Sequence, residues 1–366
     1  MTDNELHAIL TLQHIPNLGD ASIKRLLQQF NSGEDLLKAK KADLLKIDGI
    51  GHAKLKEFYN KEHALTAEEE LKFILGNNID YAGFMDAHYP ERLKHCIDGP
   101  VLLFQRGNIN YKGRKIISII GTRKVTTQGI AFTEELIEQL APLDPIIVSG
   151  FAYGVDITAH KAAVKNKLQT IGVLAHGLNQ IYPKVHKKYV DEVEENGGFV
   201  TDFWSSDRFD RTNFLRRNRI IAGMSEATVV IESAERGGSL VTAEIANSYN
   251  RDVFAVPGRT TDLQSVGCNN LIKQQKANLL TNAADLVYML NWELDTQVKP
   301  VQKQLFTELN DDEQKIWSYL DKTGKEQLDI IALNCEMPTY KLAGILLNME
   351  LKGVVRPLPG KLFEAI

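Results

Sequence analysis

The chain has 366 residues, more than one average domain holds, and its 43% hydrophobic and 25% charged residues exclude wholesale disorder. A formal net charge of −4 excludes a nucleic-acid binder held by bulk positive charge. Cys96, Cys268 and Cys335 lie far apart, forming neither a disulfide framework nor a CxxC metal or redox pair. The first residues carry acids rather than the basic run of a signal peptide. The longest apolar runs, such as Ile116–Ile120, are too short to span a bilayer. A cytoplasmic protein without membrane contact is expected.

Residues 1–75 read as helical and carry a weak internal repeat, in which Ile15, Leu18 and Gly19 recur as Ile47, Ile50 and Gly51. The plan resembles the helix-hairpin-helix motif, or a SAM-like helical domain, where a glycine lets backbone N–H groups approach a DNA phosphate. The first copy departs from the pattern, with Asn17 where the second has Gly49. Contact with DNA and packing against protein are both open for this region.

Residues 76–291 alternate apolar runs with stretches of helical period. Strands are predicted at Pro100–Phe104, Ile116–Ile120, Pro145–Ser149, Thr170–Ala175, Gly198–Asp202, Ala227–Glu232, Asp252–Val256 and Ala277–Leu280. Helices are predicted between them, for example at Ala131–Leu140 and Ile157–Val164. This is the pattern of an α/β doubly wound, mostly parallel, extended Rossmann-like sheet, whose ligands bind beyond the carboxyl ends of the strands. Residues 292–304 read as a polar linker around Pro300. Residues 305–366 read as a winged helix, with helices near Asp311–Leu320, Gln327–Leu333 and Thr339–Met349 and a terminal hairpin. Eight basic and ten acidic residues follow position 300, which favours contact with protein over contact with DNA there.

The predicted strand ends collect phosphate-binding residue types. Gly121, Thr122 and Arg123 follow one strand, and Ser149, Gly150 and then Gly154 follow the next. Tyr182-Pro183-Lys184, Arg216-Arg217-Asn218-Arg219 and Gly238-Ser239 come beyond three others, and Pro257-Gly258-Arg259 beyond a fourth. Glycines permit close backbone approach, helix N-termini present free N–H groups, and arginine grips phosphate oxygens in pairs. The expected ligand is phosphorylated and long enough to touch several loops. No GxGxxG series or GxxxxGK[ST] loop is present, and His160, His176 and His186 lack metal-ligand spacing, so neither a cofactor nor a metal is implied. His160 reads as a packing or surface residue, and Asp156 as a helix cap.

The segments VSGFAYGVDITAH (Val148–His160), TIGVLAHGLNQIYPK (Thr170–Lys184), NFLRRNRIIAGMS (Asn213–Ser225) and GGSLVTAEIANSYNRDVFAVPG (Gly237–Gly258) resemble the bacterial DprA/Smf family. So do SVGCNNLI (Ser265–Ile272), YPERLKHCIDGPVLLFQRGN (Tyr89–Asn108) and IIGTRKVT (Ile119–Thr126). The resemblance covers residues 80–291. It implies a non-enzymatic homodimer of natural transformation that binds and protects incoming single-stranded DNA and helps load the RecA recombinase. Carried over by motif, Arg123 and Lys184 are expected to contact phosphate, with Arg217, Asn218, Arg219, Gly238 and Ser239 lining the same groove. Tyr153 stands where many relatives carry lysine or arginine, replacing a charge with a ring that can stack on a base. Phe151 offers a ring too, but in a position that reads more readily as core. A second class, a nucleoside-monophosphate phosphoribohydrolase, is suggested only by Gly237-Gly238 with Glu244, and lacks that group's proline and Gly-Thr.

The charge is distributed unevenly. Tyr111–Lys124 holds five basic residues and no acid, and Arg208–Arg219 holds five basic residues and one acid. Both lie at the predicted ligand end of the sheet, which points to a confined basic groove on an otherwise acidic chain.

Overall fold

A computed structural model describes residues 1–292, 309–358 and 362–365. The chain divides into two compact units, Met1–Leu294 and Asp295–Ile366.

The first unit starts with five helices: α1 (Asp3–His14), α2 (Asp20–Leu27), α3 (Gly33–Lys38), α4 (Lys41–Leu44) and α5 (Glu62–Gly76). Thr2 caps α1 by accepting the Glu5 N–H, and Leu6, Ile9 and Leu10 bury its inner face. The turn of the repeat survives in the backbone, because Asn17 (φ 64°) takes the left-handed conformation of Gly49 (φ 76°). Asparagine tolerates that region better than most residues, so the sequence departure leaves the turn intact. Only the first copy continues into a helix, α2, whereas residues 52–59 of the second form turns and bends. The two turns pack on each other: Lys54 Nζ donates to Ser22 Oγ (2.7 Å), and Arg25 donates to the Asp48 carbonyl (2.7 Å). These helices share one continuous core with the sheet, reaching from Leu6 and Leu26 to Phe104 and Val148.

The sheet then builds through β1 (Asp80–Gly83), α6 (Glu91–Lys94), β2 (Leu102–Gly107), β3 (Ile116–Ile120), α7 (Thr127–Leu140), β4 (Ile146–Ser149) and α8 (Val155–Lys165). It continues through β5 (Thr170–Val173), α9 (Val190–Glu195), β6 (Gly197–Thr201), α10 (Arg211–Met224), β7 (Ala227–Val230) and α11 (Gly238–Ser248). It ends with β8 (Asp252–Ala255), α12 (Val266–Lys273), β9 (Asn278–Leu279) and α13 (Ala283–Met289). The lateral order is β1-β2-β6-β5-β4-β3-β7-β8-β9. The strands from β3 onward run parallel, while β2 is antiparallel to both β1 and β6. Both faces are covered, as a parallel sheet requires. On β3, Ile116 and Ile120 enter the core beneath the N-terminal helices, α10 and α11, while Ile117 and Ile119 enter the core beneath α7, α8 and α13. Strand β1 has no counterpart among the predicted strands.

The second unit holds α14 (Asp311–Thr323), β10 (Glu326–Gln327), α15 (Leu328–Asn334), α16 (Thr339–Leu351), β11 (Val355–Leu358) and β12 (Leu362–Ala365). Asn310 and Glu313 close a reciprocal capping box on α14. Ile316, Leu320, Ile331, Leu342, Leu346, Met349 and Val355 form its own core. The three strands pair in the order β10-β12-β11, completing a winged helix. Residues 293–304 of the expected linker, and the first positions of the expected C-terminal domain, lie outside the described residues, whereas Trp292 is buried in the sheet unit's core. Among the described residues no single helix is long and apolar enough to cross a membrane.

Candidate nucleic-acid interface

Strand order reverses between β3 and β7, so the crevice of this open sheet opens where their carboxyl ends diverge. The Gly121-Thr122-Arg123 loop is fixed there by its backbone. The Thr122 N–H donates to the Glu232 carbonyl (2.7 Å), and the Thr122 carbonyl accepts from Val155 N (3.2 Å). Gly154, at φ +77°, lies flat against this loop, and a Cβ on it would come within 2.2 Å of the Thr122 oxygen. Arg123 is thereby held at the surface, its guanidinium 5.4 Å from the centre of the Phe214 ring.

The crevice between β3 and β7 carries an acid of the protein's own on its wall. The Glu232 carboxylate accepts the Thr126 N–H (2.9 Å) and hydroxyl (2.5 Å) at the N-terminus of α7. That position is where a dinucleotide's phosphate would sit in many folds of this type. Glu232 and Thr126 themselves line an open cavity of about 730 Å³, together with Phe132, Ile231, Val256, Pro257 and Arg259.

The candidate residues separate into two sets. Arg123, Lys184 and Arg216 are exposed, and among the described residues none of them forms an ion pair. Gly121, Thr122 and Gly154 shape the loop under Arg123, and Gly238 is exposed at the start of α11. Others form the inner wall. Ser149 donates from its buried hydroxyl to the Ile119 carbonyl (2.6 Å). Gly150 leaves room for Asp156 and the Arg217 guanidinium, either of which a Cβ there would meet within 2.6 Å. Arg217 is 4% exposed and donates to the carbonyls of Gly150 (2.7 Å) and Val173. Burial lowers the Arg217 pKa to about 10, which leaves it cationic at neutral pH. Asn218 donates to the Gly238 carbonyl (3.4 Å), and Ser239 donates to Ser233 Oγ (3.0 Å), so both brace the α11 turn. Arg219 is committed to the interior, bonded to Asp202, to Asp20 of α2 (3.2 Å) and to the Asp98 carbonyl.

Phe151 is fully buried, in a left-handed conformation (φ 57°), and its carbonyl accepts from His186 Nδ1 (3.1 Å). Tyr153 is 45% exposed, edge-on to His186. Asp156 accepts the Ala152 N–H (3.3 Å) in the first turn of α8, its pKa raised by burial against the pull of Arg217. His160 is a packing residue, bonded through Nδ1 to Thr170 Oγ1 (2.7 Å), and burial drops its pKa to about 3. Glu244 lies at the solvent side of α11, paired with Lys276 (3.5 Å).

Three aromatic residues lie with Arg123 at this edge, of which Phe209 and Phe214 were not singled out in the sequence. Tyr182 (40% exposed), Phe209 (45% exposed) and Phe214 form a triad with ring centres 4.8 to 5.7 Å apart. The signal for the two phenylalanines was present in the Arg208–Arg219 stretch, where they interleave with five arginines. Among the described residues no group of three or more His, Cys, Asp or Glu side chains is disposed to hold a metal ion.

Comparison with known proteins bears on the same residues. The family profile described as DNA recombination-mediator protein A matches residues 80–291, and the DprA winged helix domain profile matches 302–361. Protein Smf from Synechocystis is 30% identical over 276 residues, covering 74% of this chain and 69% of that protein. The X-ray structure of DNA processing protein A from Streptococcus pneumoniae superposes with a TM-score of 0.66 at 31% identity, covering 79% of this chain and 98% of that one. DNA processing protein A from Helicobacter pylori, solved to explain its single-stranded DNA binding mode, gives a TM-score of 0.51 at 27% identity over 58% of this chain and 96% of that one. With both its sheet domain and its winged helix matched, the chain belongs to the DNA recombination-mediator protein A family, DprA/Smf.

Proposed function

We propose that this protein binds single-stranded DNA along the carboxyl edge of its sheet and performs no chemical step on it. The observation that carries the reading is the conjunction of three unpaired surface cations, Arg123, Lys184 and Arg216, with the Tyr182–Phe209–Phe214 rings. Single strands are held by this combination, in which cations track phosphates while exposed rings stack on bases in a sequence-tolerant way. The Helicobacter pylori relative, described for its single-stranded DNA binding mode, supports the same ligand. Arg217, Asn218, Arg219, Ser149 and Ser239 then act as the frame that aims the surface groups. Glu244 is left without a catalytic part, because it is a solvent-facing helix carboxylate paired to a lysine.

The family resemblance extends the proposal to the cellular role. Residues 76–291 form the DNA-binding body of a cytoplasmic homodimer that protects incoming strands during natural transformation and delivers them to RecA, with 1–75 and 305–366 as accessory domains. The winged helix fits contact with protein better than with DNA. The outward positions Leu333, Tyr340 and Leu347 are apolar and more than half exposed.

The test is fluorescence anisotropy of a labelled oligo-dT across a salt titration. The log–log slope should fall in magnitude by about 0.7 for each phosphate contact removed in Arg123→Ala and Lys184→Ala. Tyr182→Ala and Phe209→Ala should each cost about 1–3 kcal/mol of binding. Absence of binding at low salt, or unchanged slopes in both cation variants, overturns the reading.

A further inference from the structure

The segment from Asp202 to Arg219 carries Arg216 and two of the groove's three rings, Phe209 and Phe214, and both of its ends are fastened to the N-terminal helices. At its start, the Trp204 indole stacks on His14 (5.6 Å, 25°) and donates Nε1–H to Gln13 Oε1 (3.3 Å). The N–H and hydroxyl of Ser205 both donate to the Glu70 carboxylate (2.8 and 2.6 Å), which is 5% exposed on α5. At its far end, Arg219 is shared between Asp202 and Asp20 of α2. Between these anchors lie Arg208, Phe209, Arg211, Phe214 and Arg216. The His14 ring is in turn bonded to His63 of α5, Nδ1 to Nδ1, at 2.8 Å.

The two glycine turns of the helical repeat are themselves poorly disposed to take a phosphate. Asp20 sets a carboxylate at the N-terminus of α2, where it accepts the Val101 N–H (3.0 Å). Gly49 is covered by the Arg25 guanidinium, which lies 1.9 Å from where a Cβ would stand.

We propose that the N-terminal helices are a positioning element for the DNA-binding segment, and that the His14–His63 contact makes their grip sensitive to acid. The proposal rests on the single-strand reading above. Glu70, Gln13 and Asp20 act through Ser205, Trp204 and Arg219 and touch no ligand themselves.

The acid response follows from the hydrogen bond. An Nδ1-to-Nδ1 bond needs a ring with a free lone pair, and a proton added to His14 takes its lone pair away and sets a charge against the His63 ring. Burial, and next the neighbouring His63, hold the His14 pKa below its ordinary 6.5, with Asp207 pulling the other way. A lowered value in the fold means that the contact is fully present above 6.5 and is lost as pH falls through His14's own lower value. The charged groups facing the pair are Asp207 of the loop and Glu70 of α5, both raised by burial, with Arg216 acting on Asp207. A His14→Gln variant therefore isolates the histidine part of any acid response.

The experiment uses the full chain, with oligo-dT anisotropy from pH 8 to 5.5 and hydrogen–deuterium exchange over residues 203–212. Glu70→Ala should bind roughly 2- to 30-fold more weakly and exchange faster in that segment, with strand 116–120 unchanged. Glu70→Gln, which still presents an acceptor to Ser205, should recover most of the loss. The wild type should lose affinity below pH 6.5 while His14→Gln gives a flatter profile. Wild-type affinity and exchange in Glu70→Ala, or a wild-type pH profile in His14→Gln, overturns the proposal. If Glu70→Ala does not fold, the exposed His14→Gln site decides the matter through the pH profile. A wild type that binds no oligonucleotide refutes the DNA reading instead, and the exchange measurements still decide the tether.

Discussion

Gly154 is the position where a single methyl group tests the architecture of the groove most directly. Its backbone, at φ 77° and ψ −125°, is one that side-chain-bearing residues rarely adopt, and forcing alanine into it costs about 1–3 kcal/mol. The new Cβ would stand 2.2 Å from the Thr122 oxygen and 2.8 Å from backbone atoms of Arg123, where real contacts stay above 3.0 Å. The Gly-Thr-Arg loop must therefore retreat by roughly 0.8 Å, and overpacking of that kind adds about 1–3 kcal/mol. Gly154→Ala should thus lose about 2–6 kcal/mol in urea unfolding. Displacement of Arg123 removes a charge-assisted phosphate contact of about 1.5–3 kcal/mol, which is roughly a 10- to 100-fold weaker affinity for oligo-dT. Stability and affinity measured side by side on the purified variant provide the check. A Gly154→Ala protein with wild-type midpoint and affinity would show that the loop is not braced by this contact and that Arg123 does not depend on it.

The other expectations follow from the division between surface and frame. Arg219→Met breaks a buried ion cluster, leaving Asp202 and Asp20 without their cation, and should cost about 3–5 kcal/mol, whereas Arg123→Ala should change stability by less than about 0.5 kcal/mol. Chemical denaturation of the pair checks this, and equal losses would refute the assignment. Glu244→Gln should leave oligo-dT affinity within about twofold and release no base from AMP. Base release by the wild type that disappears in Glu244→Gln would make the protein an enzyme. His160 stays neutral in the fold down to about pH 3, while the unfolded chain protonates it near 6.5, so stability should fall with acid across that window. The slope attributable to one such group is about 1.4 kcal/mol per pH unit, and His160→Gln should flatten the decline seen in pH-dependent urea titrations.

The sheet was legible because parallel strands buried on both faces have to be continuous apolar runs, and Ile116–Ile120 is one with no polar side chain but Ser118. Strand β1 escaped because Asp80–Gly83 is a half-exposed edge with a single apolar pair, too short for any periodicity to register. The turns at the strand ends were legible from their glycines, of which Gly154 takes a positive φ against the Thr122 carbonyl. The division of Arg216, Arg217 and Arg219 was not. One turn of helix puts the first in solvent and the other two inside, and the acid that answers Arg219, Asp20, lies 199 residues away. No local pattern carries a partner at that distance. The aromatic triad draws its members from two loops and a helix, so only the fold brings Tyr182 beside Phe209. Asn17 shows the reverse case, a residue that breaks the sequence repeat yet keeps the geometry of the glycine it replaces.

The Glu232 carboxylate at the head of α7 has a consequence for competition. In a cell, a groove for nucleic acid meets a large excess of free mononucleotides carrying the same phosphate chemistry. The place where an open α/β sheet commonly binds such small molecules here carries the protein's own negative charge on its wall, held by Thr126. A lone nucleotide entering that cavity meets the Glu232 carboxylate. A polymer gains from spreading many shallow contacts over the rim at once. An acid on the wall of the monomer's site weighs against a single phosphate more than against a long strand.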